Sequence, residues 1–109
     1  MSLDLSRFNN LADAIIERIA DTVDDVLGDR VDADLQGGIL TMSLDGGGQY
    51  VINKNGPMRQ IWLASPVSGA WHFEYAENGS WLSTRAPKLA LDAVMAKELG
   101  DRFGAALSF

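Results

Sequence analysis

The apolar period of this chain changes twice, and those two changes restrict it to few architectures. Phe8, Leu11, Ala12, Ile15, Ile19, Val23 and Val26 recur at three- and four-residue intervals, which gathers them on one stripe of a helix over residues 6–27. Ser6 is placed to cap its start and Gly28 to end it. From Val31 the pattern alternates. Val31–Leu35, Ile39–Leu44, Gln49–Asn53, Gln60–Ala64, Trp71–Tyr75 and Trp81–Ser83 are short strand candidates, and they are separated by turns rich in Gly, Asn and Pro. After Pro87 the helical period returns, with Leu91, Met95, Leu99 and Phe103 four residues apart. The tail that follows carries Leu107 and Phe109, apolar enough to fold back on a core.

The connections between strands are too short for parallel crossovers, so consecutive antiparallel hairpins are expected. Helix, six strands, helix is an α+β order. It predicts a two-layer α-β sandwich, with the N- and C-terminal helices on one face of a six-stranded antiparallel sheet and the other face open to water. Residues 1–109 form a single domain on this reading, and a chain of that length buries about 65% of its unfolded surface.

Charge narrows the function. There are 15 acidic and 9 basic side chains, a net charge of −6. Residues 1–34 hold nine acids against Arg7, Arg18 and Arg30, whereas residues 35–109 hold six of each sign. A negative field of this kind attracts cations or a basic protein surface and repels phosphate backbones, which excludes nucleic acid as a partner. The absence of cysteine removes disulfides, thiolate metal sites, cysteine-ligated clusters and thiol nucleophiles together. No apolar run approaches the roughly 20 residues of a membrane helix. Neither a signal-peptide core nor an arginine-rich leader is visible, so the expected address is the bacterial cytoplasm, or the mitochondrial matrix for a mature organellar form.

The segment from Gln49 to Gly69 carries the most individual signal, above all Asn53-Lys54, Pro57 and Gln60-Ile61-Trp62-Leu63. Together with Trp71-His72-Phe73-Glu74 and Trp81, and with Leu11-Ala12-Asp13, Asp24-Asp25 and Gly37-Gly38-Ile39-Leu40-Thr41 upstream, it resembles the frataxin family, more closely the bacterial CyaY-type branch. The resemblance spans essentially the whole chain. It implies a helix–sheet–helix sandwich that binds iron weakly on an acidic ridge. It also implies docking on the cysteine desulfurase and scaffold protein of iron–sulfur cluster assembly, whose activity such proteins modulate.

The acids form such a ridge on physical grounds too. At 100° per residue, Asp13, Glu17, Asp21 and Asp24 fall in one arc opposite the apolar stripe. Asp13/Glu17, Glu17/Asp21 and Asp21/Asp25 are like-charge pairs four residues apart, each destabilising by roughly 0.2–0.5 kcal/mol. Asp24 and Asp25 also sit where the helix dipole disfavours anions. Asp29, Asp32 and Asp34 continue the track, and Asp32 and Asp34 share a strand face expected to lie beside the end of the helix. Carboxylates without His or Cys suit hard ions, and ferrous iron sits low in the affinity series, so binding should be weak and exchangeable. The chemistry alone leaves manganese, calcium and magnesium open; iron, ferrous or ferric, is what the resemblance implies, with no haem and no cluster of the protein's own. Ala20 and Thr22 stand where the more acidic relatives often carry charge, so this ridge should hold fewer ions.

Strand parity supplies a second surface. Ile61 and Leu63 belong under the helices, which turns Gln60 and Trp62 outward, with Asn53 on the neighbouring strand and His72 and Glu74 across. A Trp is more often core than interface, but this parity and the frataxin resemblance together assign Trp62 to the surface, and an outward Trp among amides is a hot spot for a protein partner. Asn53, Lys54, Gln60, Trp62 and His72 are the candidate contacts, and Trp81 is assigned to the core. No catalytic residue is expected. His72 has no paired nucleophile, and Gly46-Gly47-Gly48 lies between strands instead of before a helix. The competing readings are a ferroxidase or iron-storage protein, which would consume oxygen and form iron-driven oligomers where the regulator stays a monomer, and a plain interaction module whose acids serve only binding and solubility.

Overall fold

A computed structural model describes residues 3–109. Its first helix, α1, spans Leu5–Leu27. Asp4 caps it in place of Ser6, its carboxylate accepting the Arg7 backbone N–H at 2.8 Å, and an anion there also meets the positive end of the dipole. Phe8, Ala12, Ile15, Ile16, Ile19, Val23 and Leu27 are buried. The buried direction rotates along the helix, from the Phe8 side towards Leu27. Val26, about 100° from Leu27 on the wheel, is therefore left 39% exposed, although the sequence stripe included it. Gly28 keeps helical angles (φ −59°, ψ −21°). It is needed there because a Cβ would collide with the Asp24 carbonyl.

The six strands are β1 (Val31–Gln36), β2 (Ile39–Leu44), β3 (Gln49–Asn55), β4 (Gln60–Ser65), β5 (Gly69–Tyr75) and β6 (Trp81–Ser83), paired antiparallel in chain order. Helix α2 covers Leu91–Phe103 and stops at Gly104, whose left-handed φ of 65° brings its N–H to Gly100 O at 2.8 Å, a turn glycine makes without strain.

One core joins the layers. Leu40, Met42, Tyr50, Ile52, Ile61, Leu63, Trp71, Phe73 and Trp81 from one sheet face meet the α1 stripe together with Leu91, Val94, Met95 and Leu99 of α2. Trp81 is edge-on to Phe8 and Tyr75, with ring centroids 5.9 and 5.1 Å away. Leu107 and Phe109 pack partly buried against this cluster. The opposite sheet face carries no helix.

A single carboxylate enters the interface between α2 and the sheet. Glu98 accepts hydrogen bonds from the hydroxyls of Tyr50 (2.9 Å), Ser65 (2.6 Å) and Ser68 (2.5 Å). Ser68 Oγ in turn accepts the Trp71 indole N–H at 2.8 Å, and the Arg85 guanidinium lies 3.5 Å over the Trp71 ring. Burial, then the bond and charge of Glu98, push the Tyr50 phenol far above its ordinary value of 10.0. A buried group must keep its partners to offset its lost hydration, and this network supplies them.

Candidate functional site

Alternation along β3, β4 and β5 brings Asn53, Trp62 and His72 into one row across the uncovered face, and Asn55, Gln60 and Glu74 into the next. The Trp62 and His72 rings stack, with centroids 4.2 Å apart and planes 10° from parallel. Trp62 donates its indole N–H to Gln60 Oε1 at 2.8 Å, and Gln60 Nε2 donates to Glu74 Oε2 at 3.1 Å. Gln60 is only 5% exposed. Its amide uses both ends inside the face, so it orients the indole and leaves the surface to Trp62, His72 and Glu74. Glu74 is the residue that sequence reasoning placed on this face but did not single out. Asn53 is half-buried beside Trp62, its side-chain amide donating at 3.4 Å to the Lys54 carbonyl.

Lys54 stands apart from this group. Its strand parity is opposite to that of Asn53, which sends it to the helix side, where Nζ meets Asp13 Oδ1 at 2.7 Å. The pair ties α1 to β3 and neutralises the first carboxylate of the ridge.

The remaining acids of α1, Glu17, Asp21, Asp24 and Asp25, are exposed. The last turn of the helix holds no basic residue, so nothing in that turn offsets Asp24 and Asp25. Asp29 is exposed and 3.8 Å from Arg30 Nε. Asp32 and Asp34 are exposed and alternate with buried Val31 and half-buried Ala33. They therefore point away from α1, onto the open face of the sheet, and not beside the helix end. The acidic surface thus wraps an edge of the molecule, from the outer arc of α1 through the turn at Asp29 to the outward side of β1. Among the described residues, no three His, Cys, Asp or Glu side chains converge in a metal-holding geometry. A cation on this edge would take few protein ligands at a time and keep much of its water.

The frataxin-like domain model matches residues 1–105. The chain belongs to the frataxin family. Among frataxins, the iron-sulfur cluster assembly protein CyaY of Pseudomonas syringae pv. tomato is 37% identical over 110 residues, which cover 100% of this chain and 97% of that protein. The mitochondrial frataxin homolog of Schizosaccharomyces pombe is 36% identical over 107 residues, covering 94% of this chain and 67% of the yeast protein. A crystal structure of trimeric frataxin from Saccharomyces cerevisiae, complexed with ferrous iron, superposes with a TM-score of 0.75 at 32% identity, covering 87% of each chain. The frataxin of Psychromonas ingrahamii gives a TM-score of 0.85 over 97% of each chain at 24% identity, which establishes the shared fold. The two-layer sandwich expected from the hydrophobic periods is the frataxin architecture.

Proposed function

We propose that this chain binds iron weakly along its acidic edge and regulates iron–sulfur cluster assembly by docking on the cysteine desulfurase and its scaffold protein. The observation that carries the reading is the Trp62–His72 stack, locked by Gln60 and Glu74 on a sheet face that no helix covers. A rigid aromatic pair loses little side-chain entropy on binding, which is the property of an interface anchor. The acids of α1 and β1 supply the long-range attraction to a basic partner, and they act on the rate of encounter more than on its final tightness. Asn53, Trp62, His72 and Glu74 are the contact residues, Gln60 positions the indole, and Lys54 holds Asp13. The Pseudomonas relative's name supports the assembly role, and the ferrous complex of the yeast relative supports iron as the cation.

Glu17, Asp21, Asp24, Asp25, Asp29, Asp32 and Asp34 are the iron-binding candidates, with Asp13 a weaker one because Lys54 occupies it. Exposed carboxylates of this kind suit a carrier or sensor of ferrous iron better than a storage cage. The proposed setting is the bacterial cytoplasm, by likeness to CyaY.

The test is binding to a bacterial cysteine desulfurase with Trp62→Ala, the fold checked by circular dichroism. Loss of a central aromatic anchor costs about 2 kcal/mol or more, so affinity should fall about thirtyfold. An unchanged affinity in a folded variant would remove the sheet face from the proposal.

A further inference from the structure

The chain contains two Asn-Gly dipeptides, Asn55-Gly56 and Asn78-Gly79, the pairing least hindered towards attack of a backbone nitrogen on a side-chain amide. The structure treats them differently. Both carboxamides are held by Oδ1: Asn55 accepts the Met58 N–H at 2.9 Å, and Asn78 accepts the Ser80 N–H at 3.1 Å and the Ser80 hydroxyl at 2.6 Å. A donor at that oxygen polarises the carbonyl in the way an oxyanion-binding group does, and both sites have one. The nucleophiles are what differ. The Gly79 N–H is committed to the Ala76 carbonyl at 2.9 Å. Among the described residues, the Gly56 N–H donates to no backbone or side-chain acceptor.

We infer that Asn55 is a self-modification site of this protein, a succinimide-forming asparagine whose conversion adds a carboxylate to the open sheet face, while Asn78 is protected by its own turn. The Gly56 nitrogen, giving its proton to water or hydroxide, bonds to Asn55 Cγ, and the Cγ–Nδ2 bond breaks as ammonia departs with a proton. Water then opens the cyclic imide at either carbonyl, leaving aspartate or isoaspartate. No other reactant is required.

The position gives the reaction a consequence. Asn55 pairs with Gln60, which pairs with Glu74, so the new charge lies in the row that positions the Trp62 indole. The isoaspartyl product also lengthens the main chain at the β3–β4 turn, where Arg59 already holds a left-handed φ of 53°. Newly made and aged molecules would then differ by one negative charge on the same face.

Exposure alone predicts the opposite order, because Asn78 is exposed and Asn55 is half-buried. The experiment is to incubate the folded native chain at mildly alkaline pH and map both peptides by mass spectrometry, with isoaspartate methyltransferase as an independent probe. Asn55 should convert about tenfold faster than Asn78, equivalent to about 1.4 kcal/mol in barrier, and the gap should close in urea. Gly56→Ala is the control. Gly56 has no positive φ, and its added Cβ meets only the flexible end of Leu5, at 3.3 Å, so the fold should persist while conversion at Asn55 slows. Equal or faster conversion at Asn78 in the folded protein would overturn the inference, as would a gap that survives in urea.

Discussion

Neutralising the end of the acidic ridge should stabilise the protein. Asp24 and Asp25 occupy the last turn of α1, which has no basic residue, and both neighbour Asp21 at three- and four-residue spacing. Relieving each like-charge pair is worth roughly 0.2–0.5 kcal/mol. Removing an anion from the negative end of the helix dipole is worth about 0.3–1 kcal/mol per site at low ionic strength. Asn and Asp have similar helix propensities, so the substitution adds little of its own. For exposed residues the lower half of these ranges applies, which gives Asp24→Asn/Asp25→Asn a gain of about 1–2 kcal/mol. In a domain of this size that raises Tm by about 4–8 °C. Thermal melting followed by circular dichroism at low salt, and again at about 1 M where the Debye length is about 3 Å, measures both the gain and its origin. The gain should shrink markedly in high salt. A lower Tm would show that Asp24 and Asp25 do not destabilise the helix end, and an equal gain in both salts would show that the effect is not electrostatic.

Other perturbations separate the remaining parts of the structure. Glu98→Gln places an amide N–H among three hydroxyl donors and should cost about 1–3 kcal/mol by chemical denaturation. Because burial and Glu98 raise the Tyr50 phenol in the folded state, the folded chain holds that proton after the unfolded chain has released it. The contribution of Tyr50 to stability should therefore be present below pH 10.0 and be lost as pH rises above it, and Tyr50→Phe should flatten that decline. Lys54→Gln should change stability by about 1 kcal/mol or less, because the pair is only partly buried and Asp13 stays accessible to water when unpaired, while freeing Asp13 and strengthening ferrous binding in calorimetry. Gln60→Leu should leave the fold intact but release the indole, seen as a shift in Trp62 fluorescence together with weaker desulfurase binding.

Much of the architecture was legible because burial imposes its period directly on the residues that face the core. Ile61 and Leu63 could only lie under the helices, and that parity turned Trp62 outward without any tertiary information. Lys54 was legible in principle, since the same alternation that exposes Asn53 sends its neighbour inward; its place beside Asn53 in the segment that carries the family resemblance hid this. The burial of Gln60 was not legible, because it depends on cross-strand register bringing Glu74 alongside and on the Trp62 indole donating to the amide oxygen. Glu98 reads as an ordinary helical acid until α2 is laid against β3–β5 and three hydroxyls surround it. Asp32 and Asp34 share a face, as expected, but which face required the buried side of Val31. The helix starts one residue before the expected boundary and its cap lies two residues earlier, because Asp4 and Ser6 are both competent caps and it is the Asp4 carboxylate that accepts the Arg7 N–H.

The most direct measurement is a calorimetric titration of a bacterial cysteine desulfurase with the native chain and with Asp21→Asn/Asp24→Asn/Asp25→Asn, at two salt concentrations. The native chain should bind, its binding should weaken as salt rises, and the variant should bind far less although it is at least as stable. Undiminished binding by the variant, or no binding by either protein while ferrous iron still binds the native chain, would contradict docking through the acidic ridge.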